Sequence, residues 1–360
     1  MVTYLATFLV RKLAAKYDIY PKAIRSRDMH SRPTPRIGGV AMFLGFVASL
    51  LIAAPIGWFD VVFSDPTPII AISVAALIIT AVGFLDDIYD LDWTLKLAGQ
   101  FIAAAVLAWN GVQIVSLPIF GITVGSFGVS FVVTVFLAVL IMNAVNFIDG
   151  LDGLVAGVVL IGTAVFFVYS YLLAQEVSPT NYFNLASMLS AIVIGMCLGF
   201  LPHNWHVAKI FMGDGGALLL GLLMTTSALT VTGQIDPASI KRTDLVPAIL
   251  PLILPISILL LPLLDFVLAV LRRLAAGKSP FAADRLHLHH RLQDFGHSHL
   301  GSVLVFYFWS ASVSVSCLLL FLTDLIWVVL FAVVSISASL LYTIWPALAK
   351  AKQRKVSSNV

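Results

Sequence analysis

Apolar segments of about the length that crosses a bilayer, roughly 20 residues, recur from one end of this chain to the other. Ten fall near 37–57, 68–85, 97–115, 127–145, 154–174, 184–201, 215–232, 246–271, 301–322 and 325–346. Residues 1–15 form a shorter eleventh, which Lys12 and Lys16 can lengthen by reaching to the interface. Hydrophobic residues make up 60% of the chain and charged ones 11%, against about 25% charged in ordinary soluble domains; mean hydropathy is +1.02. These features predict an all-α polytopic membrane helix bundle with 10–11 transmembrane helices, a single domain over 1–360. Lys and Arg follow the first apolar stretch with no small-residue cleavage pattern, so no cleavable signal is expected. Cys197 and Cys317 lie inside apolar runs and read as core residues.

Basic residues set the expected orientation. With these spans, 19 of the 21 Lys and Arg fall on one face, and only Lys241 and Arg242 fall opposite. That face is expected to be cytoplasmic, with loops 12–36, 86–96, 146–153, 202–214 and 272–300 and a tail at 347–360. All eight histidines are placed on it, as are Asp86, Asp87, Asp90, Asp92, Asp149, Asp152, Asp214, Asp284 and Asp294. Solubility alone does not sort titratable groups to one side.

One short stretch, Asn143-Ala-Val-Asn146-Phe-Ile-Asp149-Gly-Leu-Asp152-Gly153, lies where one apolar run ends and the next begins. Carboxylates at that depth are costly unless used or paired, and mark a functional site by default. Asp149 and Asp152 are three apart and share a face on a helix or tight turn. Close acids flanked by amides and glycines suit a divalent cation that carries phosphate. The bland alternative is a polar turn between two helices.

Three further clusters fall on the same face. Phe84-Leu-Asp86-Asp87-Ile-Tyr-Asp90-Leu-Asp92-Trp-Thr-Leu-Lys96 closes the third span, and its adjacent acids want a cation or a proton between them. It reads as a metal or phosphate-handling site, or as a solvated acidic loop. In Lys209-Ile-Phe-Met-Gly213-Asp214-Gly215-Gly216 one acid is bracketed by glycines at a helix start. Such a turn can offer N–H groups to an anion, or its Asp can hold a cation. His203 and His206, just before it, read as ordinary interfacial residues. The run Lys278 to Arg291 interleaves His287, His289 and His290 with Arg285 and Arg291. It reads as a cationic pocket for a diphosphate, with a zinc site or a lipid-attracted basic loop as alternatives. His297 and His299 read as peripheral. Four prolines, at 247, 251, 255 and 262, should kink the helix predicted over 246–271.

Taken together, Arg32-Pro-Thr-Pro-Arg36-Ile-Gly-Gly39, Phe84-Leu-Asp86-Asp87, Asn143 to Leu154, Met212-Gly-Asp214-Gly-Gly216 and His287-Leu-His289-His290-Arg291 resemble the polyprenyl-phosphate N-acetylhexosamine-1-phosphate transferase superfamily. The His-Leu-His-His form is similar to its WecA/TagO-type branch; the MraY-type branch, which transfers a phospho-MurNAc-pentapeptide, has three consecutive histidines where this chain has Leu288. The resemblance implies attack of a polyprenyl phosphate (undecaprenyl or decaprenyl) on UDP-GlcNAc, giving polyprenyl-diphosphate-GlcNAc and UMP. That is a first membrane step of a cell-envelope glycan such as lipopolysaccharide, arabinogalactan or teichoic acid. It implies a Mg2+-dependent phosphotransferase of the bacterial inner membrane, with Mn2+ as the alternative ion. Asp214 becomes the principal metal ligand, joined by Asp87. Asp86 and Asp87 become the acids that activate the lipid phosphate. Asp149 and Asp152 fall in the nucleotide-sugar and metal region, and His290 completes the catalytic set. Asn143, Asn146, Lys96, Lys209, Arg285, His287 and His289 become substrate-binding residues. The implied partners are UDP-GlcNAc, the lipid phosphate and the bilayer, with no nucleic acid; a homodimer is left open.

Two readings from other classes stand beside this one. An ion-coupled transporter also uses intramembrane acids and proline-broken helices, but its site lies near the midplane, often within inverted repeats. A lipid-binding scaffold leaves the carboxylates unexplained.

Overall fold

The computed structural model describes residues 1–20, 34–114, 126–177, 184–232, 250, 253–254, 256–257, 260–275, 277 and 288–357. Among them every regular element is helical: α1 (Val2–Lys16), α2 (Gly38–Ala53), α3 (Asp60–Phe63), α4 (Pro66–Tyr89), α5 (Trp93–Trp109), α6 (Phe127–Phe147), α7 (Leu154–Val177), α8 (Leu185–Asn204), α9 (Gly213–Thr232), α10 (Leu260–Ala275), α11 (Leu288–Phe295), α12 (His299–Leu322) and α13 (Leu325–Ser357).

Seven of these, α4, α6, α7, α8, α9, α12 and α13, are long and apolar enough to cross a membrane. The span expected at 37–57 is broken: α2 ends at Ala53 and the chain turns by 100° into Gly57–Phe63. Pro55 sits at this break, where proline removes a helical N–H. The first expected segment is a 15-residue helix, and α5 is a 17-residue apolar helix. Of the segment expected at 246–271, α10 and a few preceding residues are described; Pro251 and Pro255 lie outside the described residues.

Several helix starts have an identifiable cause. Asp65 accepts the Thr67 N–H at 3.0 Å, with Pro66 opening α4. Asp92 accepts the Thr94 N–H at 2.9 Å at the start of α5, so this acid, read from sequence as part of an acidic cluster, is a helix cap. Asn184 and Ser298 cap α8 and α12 in the same way.

Helix α9 is the centre of the bundle. It is buried over 89% of its spanning stretch, against 11% for α13, and packs against α4, α6, α8 and α2. Small residues permit this. A β-carbon at Gly83 would overlap the Gly215 backbone, and one at Gly39 would overlap Gly216. Membrane helices associate through such close backbone approach, because lipid supplies no hydrophobic drive between them. The segment before α2 is tied to the start of α9 through main chain: Phe211 N–H donates to Pro35 O, Gly38 N–H to Phe211 O and Gly39 N–H to Met212 O, at 2.8–3.0 Å. Buried hydroxyls along α9 are satisfied within the helix, Thr225, Thr226 and Ser227 each donating to the carbonyl four residues back. Both cysteines are free thiols.

Candidate active site

The ends of α4 and α6, the start of α5 and the start of α9 meet at one end of the bundle. Asp86, in the last turn of α4, is 5% exposed. Lys96, in the first turn of α5, donates from Nζ to Asp86 Oδ2 at 2.9 Å. The same ammonium is ion-paired with Asp214 Oδ2 at the start of α9. Asn146 Nδ2, near the end of α6, donates to that Asp214 oxygen at 3.3 Å. Four side chains from four helices, 118 residues apart in sequence between Lys96 and Asp214, thus share one polar focus. One ammonium holds two carboxylates there, where a cation or the phosphates of a substrate would compete for the same oxygens.

Asp87 faces elsewhere, as adjacent residues on a helix must. The Asp214 N–H donates to Asp87 Oδ1 at 3.3 Å. Gly213 has φ +68° and lies so close that a β-carbon would strike the Asp87 carboxylate. The glycines flanking Asp214 therefore serve close packing at Gly215 and Gly216 and a left-handed turn at Gly213, while the first N–H groups of α9 are engaged by Asp87 and Met212 O.

Asn143 forms a reciprocal amide pair with Gln100 of α5, Gln100 Nε2 donating at 3.4 Å, and also donates to Val139 O at 2.8 Å. Its amide fastens α5 to α6 one turn below Asn146. Gln100 carries no chemical motif, and only its polarity inside an apolar helix hints at a role.

Asp149 sits in the turn between α6 and α7. Burial pushes its carboxyl up to about 7; the Asp214 and Asp152 charges add to this, and Arg36 opposes it. Arg36, which the sequence reading placed only within a motif, thereby bears on the site electrostatically.

Asp152 is not part of the Lys96 group. It is 3% exposed and anchors the 205–210 loop: Oδ2 accepts the Ala208 N–H at 3.1 Å and lies 3.0 Å from His206 Nδ1. The Asp152 N–H donates to His299 Nε2 at 3.3 Å. Asp152, His206 and His299 offer ligand atoms within 4.8 Å of one another. The imidazoles suit a borderline-soft ion better than Mg2+, and Asp152 Oδ2 is already engaged, so this group acts first as a strut. Around it, Gly153 N–H donates to Asn204 Oδ1 at 3.0 Å and Tyr307 OH donates to Gly153 O at 2.6 Å. The sequence reads His206 as an interfacial residue and His299 as peripheral; they stand 54 and 147 residues from Asp152. The Lys209 side chain is exposed on the same loop, whose Lys209 N–H donates to His203 O at 2.9 Å. Of the expected phosphate grip, Arg285 and His287 lie outside the described residues, and His289 and His290 fall on α11.

A membrane helix bundle with carboxylates, carboxamides and one lysine gathered at the ends of its central helices is the class that fold and site define. Residues 69–232 match the glycosyl transferase family 4, a stretch that contains every member of the Lys96 group. The chain is 41% identical over 317 residues to the decaprenyl-phosphate N-acetylglucosaminephosphotransferase of Mycolicibacterium smegmatis, covering 86% of this chain and 77% of that one. It is 34% identical over 335 residues to the probable undecaprenyl-phosphate N-acetylglucosaminyl 1-phosphate transferase of Bacillus subtilis, covering 92% and 86%. Identity is 28% over 307 residues to the undecaprenyl-phosphate alpha-N-acetylglucosaminyl 1-phosphate transferase of Escherichia coli O157:H7, covering 82% and 75%. The chain belongs to glycosyl transferase family 4.

Proposed function

We propose that this chain transfers GlcNAc-1-phosphate from UDP-GlcNAc to a membrane polyprenyl phosphate, releasing UMP. The observation that carries the reading is the Lys96–Asp86–Asp214–Asn146 focus, assembled from four helices at one end of the bundle. Both substrates are phosphate anions, so their approach needs positive charge at the point of reaction. The carboxylates fit Mg2+, with Mn2+ as the alternative. Asp86 and Asp214 offer hard oxygen donors, and Asp149, held up at about 7 by burial first and by the Asp214 charge second, offers a further carboxylate that feels Asp214. Asp214, Asp86 and Asp149 would hold the ion. When bound, it screens the two phosphates from each other and stabilises the charge developing on the leaving UMP.

The chain's own groups have separable roles in this reading. Lys96 Nζ, freed from one carboxylate, donates to a phosphate oxygen of the donor. Asn146 fixes the rotamer of Asp214. Asp86 accepts the proton of the acceptor phosphate. Asp152 holds the 205–210 loop and Lys209 at the rim, and Arg285, His287, His289 and His290 supply further phosphate contacts. The basic face is cytoplasmic, where a soluble nucleotide sugar and a lipid headgroup both reach helix ends. Leu288 disfavours the MraY-type donor, and a site at helix ends rather than mid-bundle disfavours a transporter.

The test uses purified protein in lipid nanodiscs with polyprenyl phosphate, Mg2+ and labelled UDP-sugars. Label from UDP-GlcNAc is expected to enter the lipid phase, with UMP released. Turnover restricted to the UDP-muramyl-pentapeptide, or none with either donor, would overturn the assignment.

A further inference from the structure

Two adjacent acids, Asp86 and Asp87, lie in the last turn of α4, and the family resemblance of the sequence implies a part in the reaction for both. Their surroundings differ. Asp86 is ion-paired with Lys96, inside the polar focus. Asp87 sits against the first turn of α9. It receives the Asp214 N–H at 3.3 Å, and it crowds Gly213 so closely that no β-carbon fits there.

A helix leaves its first N–H groups without intrahelical partners, and an oxygen just before the helix normally accepts them. Helix α9 has no such oxygen of its own, because Ile210, Phe211 and Met212 precede it. A carboxylate from α4 fills that place, and its charge also suits the positive end of the helix dipole. The clamp is held from both sides: Gly83, one turn before Asp87, is in backbone contact with Gly215, one residue after Asp214.

We propose that Asp87 is a positioning residue that caps α9 across the α4–α9 contact and fixes where Asp214 projects its carboxylate. The functional weight of this inference rests on the proposed transferase reading, in which Asp214 faces the reacting phosphates. The cap itself does not. It departs from the sequence expectation that Asp87 activates the lipid phosphate or binds the metal.

Asparagine can still accept an N–H bond but is neither a base nor an anionic ligand; alanine can do none of these. Amide hydrogen exchange is therefore compared across residues 212–220 in the full-length protein in nanodiscs. Wild type and Asp87→Asn should protect the Asp214 amide alike, whereas Asp87→Ala should exchange it about tenfold faster. Turnover should stay within about tenfold of wild type in Asp87→Asn with the acid limb of the pH–rate profile unchanged, and fall at least about a hundredfold in Asp87→Ala. Equal protection in Asp87→Ala and wild type would overturn the cap. So would an Asp87→Asn protein that keeps protection but loses turnover about a hundredfold together with the acid limb, since Asp87 would then be the reacting base. If wild type transfers nothing, the exchange comparison still decides the cap, and the failure falls on the transferase reading alone.

Discussion

Lys96 is the residue on which the site turns. Its ammonium bonds both carboxylates of the focus, Asp86 and Asp214. Removing it leaves a buried acid, Asp86, and a partly buried one, Asp214, facing each other without compensation. Lys96→Met should reduce transfer at least about a hundredfold while the protein still purifies as a folded bundle, measured by initial rates beside a thermal melt; near-normal rates would remove Lys96 from the site. Asp149 gives a pH signature. Its carboxyl titrates near 7, so below that pH it is mostly neutral and a poor cation ligand. The Mg2+ concentration for half-maximal rate should rise as pH falls from 8 through 7 to 6 (about tenfold per pH unit at the steepest), and Asp149→Asn should flatten that dependence. The linkage to stability has the opposite sense. The folded state holds the Asp149 proton more tightly than the ordinary value of 3.8, so without cation its contribution to stability declines as pH rises from there to about 7. Among single residues, Asp86, Lys96, Asn146 and Asp214 were legible in sequence because charge and amides are rare in so apolar a chain. The different partners of Asp86 and Asp87 were not, because they depend on which way each side of α4 faces. The partnership of Asp152 with His206 and His299 was hidden by chain distance.

Between elements, the contact of α4 with α9 matters most, because it sets the distance from Asp86 to Asp214. Glycines make it. Gly83→Ala should destabilise the protein by about 1–3 kcal/mol, the usual cost of overpacking, and should lower transfer along with the melting temperature. Gly195 of α8 has open space around its Cα, so Gly195→Ala should leave stability unchanged or raise it by up to about 1 kcal/mol through helix propensity. Equal effects of the two substitutions would contradict the packing described. Helix positions were legible because an uninterrupted apolar run of about 20 residues has few other fates. Breaks and ends were less so. The turn after Ala53 was read through despite Pro55, and α5 ends at Trp109 rather than near 115. The glycines around Asp214 were read as a cradle for an anion, because sequence shows that a backbone can come close but not to what.

At the scale of the molecule, one buried helix carries its acid to a face where the ends of its neighbours supply the partners. The proposed reading, from the Lys and Arg distribution, is that this face is cytoplasmic. In a Cys317→Ala background, Asp90→Cys should react with an impermeant thiol reagent from the cytoplasmic side and Asp60→Cys from the other; both positions are exposed. Labelling of both from one side would invert or break the topology. The outer helix α13 is joined to α12 by hydroxyl contacts, Ser312 with Ser339 at 3.0 Å and Trp309 Nε1 donating to Thr343 Oγ1 at 3.1 Å, far from the Lys96 focus in the chain. Transfer itself tests the convergence most directly. Purified wild type, Lys96→Met and Asp214→Asn are incubated in nanodiscs with polyprenyl phosphate, Mg2+ and UDP-GlcNAc labelled in the sugar, and labelled lipid and UMP are counted together. The expected result is equimolar lipid product and UMP from wild type and a loss of at least about a hundredfold in each variant; undiminished transfer in both variants, or UMP release with no labelled lipid, would contradict it.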